Sequence, residues 1–96
     1  MSEPARKAVR VVISGRVQGV FFRSWTVDRA EVRGLDGWVR NRFDGTVEAL
    51  FAGPAESVDR MLEACWRGPD YATVTDVAVE QAEDPGPTGF EQRSAG

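Results

Sequence analysis

Residues 37–51, GWVRNRFDGTVEALF, place an Asp-Gly pair between two short runs of strand-like composition. The first run covers residues 37–42 and contains Trp38 and Val39, and the second covers residues 46–51 and contains Thr46, Val47 and Phe51, all of residue types that favour strands. An Asp-Gly pair between two such runs is a strong local signal for a tight hairpin. The segment therefore predicts two antiparallel strands, and the remaining elements can be placed on either side of them.

A helix is predicted on the carboxyl side of this hairpin, after Gly53-Pro54. Its apolar residues recur at the spacing i, i+3, i+4, i+7, which puts them on one helical face: Val58, Met61, Leu62 and Cys65. Pro54 suits the start of the helix, and Gly68-Pro69 is a typical stop signal. The chain then predicts a strand over residues 74–80, with Val77 and Val79 facing the core, and a short last strand over residues 90–92.

The amino-terminal side of the hairpin predicts one strand and one helix. Val9, Val11 and Ile13 alternate with other residues from Lys7 onward, which has the period of a strand with one buried face. Residues 15–20 contain two glycines and predict a loop. A helix is expected over residues 22–33, with Gly34 ending it, and its plausible core contacts are Trp25, Val27 and Ala30.

The predicted order of elements is β-α-β-β-α-β, with a possible short fifth strand. This is the signature of a ferredoxin-like split β-α-β fold in the α+β class, in which two helices cover one face of an antiparallel sheet. We expect a flexible or disordered tail over residues 1–6 and one domain over residues 7–93. The fold alone does not give a function, because it hosts enzymes, RNA-binding modules and regulatory ligand-binding domains.

Composition excludes several kinds of chemistry. The chain has 96 residues and no histidine, which rules out a histidine general base and histidine metal ligands. Cys65 is its only cysteine, so an internal disulfide and a CxxC zinc or redox site are excluded. We expect no metal and no cofactor. Without an apolar leader or a run near the roughly 20 apolar residues that span a bilayer, a cytoplasmic protein without membrane partners is expected.

The charges are distributed unevenly along the chain. The overall charge is −3, but residues 1–48 hold nine basic and six acidic residues, whereas residues 49–96 hold three and nine. A functional anion site is therefore sought in the first half. The loop there, residues 15–20, leads into a helix N-terminus, where successive backbone N–H groups can bind an anion. Arg23, in the first helical turn, can add two charge-assisted hydrogen bonds.

Two stretches of this half resemble the two signatures of the acylphosphatase family. The first is Ile13-Ser14-Gly15-Arg16-Val17-Gln18-Gly19-Val20-Phe21-Phe22-Arg23, and the second is Gly37-Trp38-Val39-Arg40-Asn41 followed by Gly45, Val47 and Gly53. The resemblance extends from about Lys7 to Glu80. It implies a small enzyme that hydrolyses the carboxyl-phosphate bond of acyl phosphates. Because the loop would recognise a tetrahedral anion, we expect inorganic phosphate or sulfate to bind there as competitive ligands. We also expect a monomer that needs no metal, since Arg23 and the loop amides would supply the positive charge.

The resemblance also assigns roles to individual residues. Arg23 matches the phosphate-binding arginine of the family, and Asn41 matches the asparagine that positions the attacking water. The phosphate-binding loop is implied for Arg16, Val17, Gln18, Gly19, Val20, Phe21 and Phe22. Gly15 and Thr46 are implied as supporting residues, Thr46 by helping to orient the asparagine.

Two functions other than catalysis remain as alternatives. The same fold can act as a binding module for RNA, but a net charge of −3 and the lack of an RNP-type aromatic run argue against nucleic acid. It can also act as a non-catalytic module that binds phosphate or an effector. Asn41 distinguishes this module from an enzyme, because phosphate binding alone has no evident use for an amide that orients water.

Overall fold

The computed structural model describes residues 5–96. Seven elements follow one another along the chain: β1 Arg6–Arg16, α1 Phe22–Val32, β2 Asp36–Asn41, β3 Val47–Pro54, α2 Ala55–Arg67, β4 Thr73–Gln81 and β5 Phe90–Gln92. The predicted β-α-β-β-α-β order is confirmed, and the short fifth strand is present. In the described residues, neither helix is long and apolar enough to cross a membrane.

The five strands form one sheet in the order β4-β1-β3-β2-β5. The first four strands are antiparallel to their neighbours, as predicted, but β5 runs parallel to β2. The sheet is therefore mixed rather than purely antiparallel. Parallel pairing is possible because the chain after β4 returns to the other edge of the sheet before β5 begins, whereas a hairpin would have forced an antiparallel partner.

The hydrophobic core lies between the helices and one face of the sheet. Val9, Val11 and Ile13 of β1 are buried on this face, in the period-two pattern that the sequence predicted. The opposite helix α2 buries Val58, Met61 and Cys65 completely, and burying a side chain of this size contributes roughly 1.5–3 kcal/mol. The amphipathic spacing of α2 therefore explains why it packs where it does.

One local prediction about the core, on β4, needs correction, and the prediction for α1 needs two additions. Val77 is buried, as predicted, but Val79, in the edge strand β4, is 47% exposed. In α1, Ala30 is buried and the partly buried Trp25 and Val27 pack against the core, as predicted, and Phe22 and Thr26 are buried in addition. Thr26 is buried without penalty because its hydroxyl donates to the carbonyl oxygen of Phe22 at 2.8 Å.

Both ends of the described chain lie against the sheet. The tail predicted over residues 1–6 falls mostly outside the described residues, but Arg6 begins β1 and pairs with Asp36 and Asp84. At the other end, the chain beyond residue 93 continues beside β2. There the backbone N–H of Gly96 donates to the carbonyl oxygen of Asn41 at 3.1 Å.

Candidate active site

The loop between β1 and α1 is held in place by side chains that pack into the core. Val17 and Val20 are buried, so the two side chains anchor the loop backbone on the core. The strand that precedes the loop passes very close to β4 at Gly15, where an added Cβ would lie 2.1 Å from the carbonyl oxygen of Thr73. The loop therefore begins where only glycine fits.

The backbone of this loop offers free hydrogen-bond donors. Phe21, the residue before α1, adopts a left-handed conformation at φ 63°, and no side chain caps the helix. Within residues 5–96, the backbone N–H groups from Gln18 to Ser24 donate to no other protein group. Unsatisfied N–H groups at a helix N-terminus carry partial positive charge and are suited to bind an anion.

Gln18 ties the loop to the β2–β3 hairpin. Its side-chain Nε2 donates to the carbonyl oxygens of Arg42 and Thr46, each at 2.8 Å. Arg42 directly follows Asn41, so the loop and the end of β2 are held together by one side chain. The geometry gives Gln18 a positioning role that its place in a loop sequence does not reveal.

Thr46 stabilises the hairpin turn. Its hydroxyl donates to Oδ1 of Asp44 at 2.6 Å, and its backbone N–H donates to the same oxygen at 3.0 Å. These hydrogen bonds lower the pKa of Asp44. The structure places the Thr46 hydroxyl on the turn, and in residues 5–96 it makes no hydrogen bond to Asn41.

Asn41 ends β2 beside the loop. It lies opposite Val47 of β3, and in the described residues its side-chain amide has no hydrogen-bond partner. The adjacent Arg40 points to the other face of the sheet, where its Nε donates to Glu48 at 2.7 Å. The Asn41 amide is therefore left available to a ligand.

A pocket of about 340 Å³ brings these parts together. It is lined by the two residues with predicted catalytic roles, by part of the loop and by two residues that the sequence did not single out: Arg23, Asn41, Val17, Gly19, Phe21, Phe22, Ser24 and Gln92. Of the other predicted residues, Gly15, Arg16, Gln18, Val20 and Thr46 do not line it. Val20 and Gln18 support the loop from outside the pocket.

The two additional residues were missed for different reasons. Ser24 follows Arg23 directly, so its position at the helix N-terminus was a signal that could have been used. Gln92 comes from β5 and reaches the pocket only because β5 pairs in parallel with β2. No local pattern in the sequence indicates that pairing.

The described residues provide neither a metal site nor a nucleophilic thiol. Within residues 5–96, no three carboxylate or cysteine side chains are grouped in a way that could hold a metal ion. Cys65 is buried under α2, and desolvation raises the pKa of its thiol to about 12. At neutral pH this thiol stays protonated, and Cys65 does not line the pocket.

Comparison with known proteins places the chain in a family. The sequence model of the family described as Acylphosphatase matches residues 9–92. The chain is 54% identical over 89 residues to an acylphosphatase of Acidiphilium cryptum, covering 93% of this chain and 98% of that one. It is 57% identical over 86 residues to one of Rhizobium meliloti, covering 88% and 90%.

A solved structure is similar over the same length. The acylphosphatase crystal structure from Bacillus subtilis superposes with a TM-score of 0.87 at 37% identity, covering 93% of this chain and 99% of that one. The protein described here belongs to the acylphosphatase family. The resemblance of its two sequence stretches is thereby confirmed.

Proposed function

We propose that the protein is an acylphosphatase, an enzyme that hydrolyses acyl phosphates to a carboxylate and inorganic phosphate. The observation that carries this proposal is the convergence of Arg23, Asn41 and the loop backbone on one pocket of about 340 Å³. Family membership over residues 9–92 supports the same activity. The catalytic roles of the individual residues are part of the proposal.

The phosphoryl group binds at the loop. Arg23 and the free N–H groups from Gln18 to Ser24 donate hydrogen bonds to its oxygens. Phosphoryl transfer passes through a loose transition state in which charge is spread over the equatorial oxygens, so fixed donors are the main requirement. Because the guanidinium group of Arg23 is planar and carries parallel N–H donors, it contacts two of these oxygens at once.

Water is the nucleophile, and Asn41 holds it. The amide hydrogen-bonds a water molecule in line with the bond that breaks. The oxygen of this water forms a bond to phosphorus as the bond between phosphorus and the carboxylate oxygen breaks. One water proton passes to a phosphate oxygen. The products are a free carboxylate and inorganic phosphate.

The leaving group explains why no histidine is needed. A carboxylate has a conjugate acid with a pKa near 4, so it departs at neutral pH without being protonated. A general acid is therefore unnecessary. The same reasoning predicts that acyl phosphates react and that ordinary phosphate monoesters, which release a far more basic alkoxide, do not.

Several properties follow from this site. Inorganic phosphate and sulfate, which share the tetrahedral shape of the phosphoryl group, compete with the substrate. A monomer suffices because residues of a single chain line the pocket. The buried thiol of Cys65 is compatible with a reducing cytoplasmic compartment.

The test compares two substrates on the same preparation. Acetyl phosphate should be hydrolysed, glycerol 3-phosphate, which would have to release an alkoxide, should not, and EDTA should leave the rate unchanged. Arg23→Ala should abolish turnover, whereas Lys7→Ala should retain it, because Lys7 carries a similar charge at the opposite end of β1. Phosphate binding without any hydrolysis of acetyl phosphate would instead identify a non-catalytic binding module.

A further inference from the structure

A second pocket lies between the two helices. We name it the helix-face pocket and define it by Trp25 and Arg29 from α1, Arg33 directly after α1, and Arg60 and Arg67 from α2. Its volume is about 690 Å³, twice that of the catalytic pocket, and the two pockets share no lining residue. The helix-face pocket is therefore a separate feature of the molecule.

The helix-face pocket carries an excess of positive charge in an acidic protein. Its lining has four arginines against two carboxylates, Glu63 and Asp70. Among residues 5–96, only one of the four arginines forms an ion pair, the Arg60 guanidinium with Glu56 at 2.9 Å. Three guanidinium groups thus face the same space without an anionic partner.

One of these arginines is also incompletely hydrogen-bonded. The Nε of Arg33 is buried and, in the described part of the chain, has no hydrogen-bond partner. A buried donor without a partner costs roughly 1–3 kcal/mol. The described part of the protein therefore leaves this guanidinium incompletely satisfied.

Helix geometry explains only part of the arrangement. Arg29 and Arg67 lie in the last turns of their helices, where a positive charge interacts favourably with the helix dipole. Arg60 lies in the middle of α2, where the helix dipole has little effect on it. The dipoles also do not explain why arginines of both helices surround one pocket. Repulsion among like charges opposes the cluster unless something negative offsets it.

We propose that the helix-face pocket is a second anion site, which binds a polyphosphate chain across the two helices. Guanidinium groups pair with phosphate oxygens through two parallel hydrogen bonds, and several groups around one space suit a ligand with several phosphates. Trp25 forms an aromatic wall of the same pocket. Tripolyphosphate and a nucleoside triphosphate share the required chemistry.

The experiment titrates tripolyphosphate and ATP into the full chain by calorimetry at low ionic strength. Arg23→Ala is the starting protein, because it removes the guanidinium of the catalytic pocket. Adding Arg29→Ala and Arg33→Ala should weaken tripolyphosphate binding at least 10-fold. Adding Lys7→Ala and Arg93→Ala, which removes the same charge elsewhere, should change it less than 3-fold.

A second variant guards against misfolding caused by the loss of the partly buried Arg33. Arg67→Glu changes an exposed position at the end of α2 and should weaken binding to a similar extent. Acetyl phosphate hydrolysis by the otherwise unaltered chain carrying Arg67→Glu should remain normal. If ATP and tripolyphosphate bind with equal affinity, the phosphates alone account for binding. If ATP binds more tightly and Trp25→Leu removes the difference, the base of ATP contacts Trp25.

Three results would overturn the proposal. Tripolyphosphate that binds the wild type but not Arg23→Ala occupies only the catalytic pocket. An unchanged affinity in both the Arg29/Arg33 and the Arg67 variants excludes the helix-face pocket. An equal loss in the Lys7/Arg93 control shows that binding depends on overall charge.

Discussion

Replacing Gln18 with alanine tests whether the loop and the hairpin form one unit. The change deletes two hydrogen bonds of 2.8 Å, to the carbonyl oxygens of Arg42 and Thr46. Each such bond contributes about 1 kcal/mol to stability. The Arg42 carbonyl still accepts from the N–H of Gly45, and the Thr46 carbonyl still accepts from the N–H of Arg42, so neither is left without a partner.

The expected loss in the free energy of unfolding is therefore about 2 kcal/mol, which corresponds to roughly 8–16 °C in Tm for a domain of this size. Activity should fall as well, because the loop donors would no longer be held against the end of β2. Since misplacement of about 1 Å can cost 100-fold in rate, we expect kcat/KM for acetyl phosphate to fall 10-fold or more.

The assay combines scanning calorimetry with steady-state kinetics on purified protein. Gln81→Ala is the matched control, because Gln81 is exposed and its side chain makes no hydrogen bond within residues 5–96. The control should stay within about 0.5 kcal/mol of the wild type. If Gln18→Ala melts and turns over like the control, the two hydrogen bonds do not hold the site together.

Three further predictions concern other positions. Burial raises the pKa of Glu48, but hydrogen bonds from Arg40 and Arg10 outweigh burial and lower it overall. The ionised Glu48 therefore stabilises the fold above its ordinary pKa and loses that effect as the pH falls through its lowered folded pKa. Urea titrations should show Glu48→Gln less stable than the wild type by about 2 kcal/mol at pH 7 and closer to it at pH 3. Cys65→Ala should lose about 1 kcal/mol by calorimetry yet keep its kcat, and a folded but inactive variant would make the thiol catalytic. Gly15→Ala should lower both Tm and phosphate affinity, since the added Cβ would lie 2.1 Å from a carbonyl oxygen of β4. An unchanged Tm would show that β4 can shift away from the added methyl group at little cost.

Local patterns were sufficient to predict most of the fold. The Asp44-Gly45 pair predicted the hairpin, and the apolar spacing of α2 predicted its buried face, because both signals act between residues close in sequence. The pairing of β5 with β2 could not be predicted from local patterns, since it joins residues more than fifty positions apart. The exposure of Val79 depends on which strand lies at the sheet edge, and alternation alone does not determine that.

The sequence also predicted part of the candidate site. The family resemblance indicated Arg23 and Asn41, and the structure places both in one pocket. The bonds from Gln18 to the hairpin and the contribution of Gln92 depend on side chains that meet only after the sheet has formed. Sequence patterns carry no direct signal for such contacts.

Phosphate titration by calorimetry of Arg23→Ala and Asn41→Ala, with acetyl phosphate kinetics on the same proteins, tests the proposed roles most directly. Arg23→Ala should lose phosphate affinity and turnover together. Asn41→Ala should bind phosphate almost normally while kcat falls by about two orders of magnitude or more, the pattern of an interaction made in the transition state. If Asn41→Ala loses phosphate binding as completely as Arg23→Ala, Asn41 is a phosphate ligand and does not serve to position water.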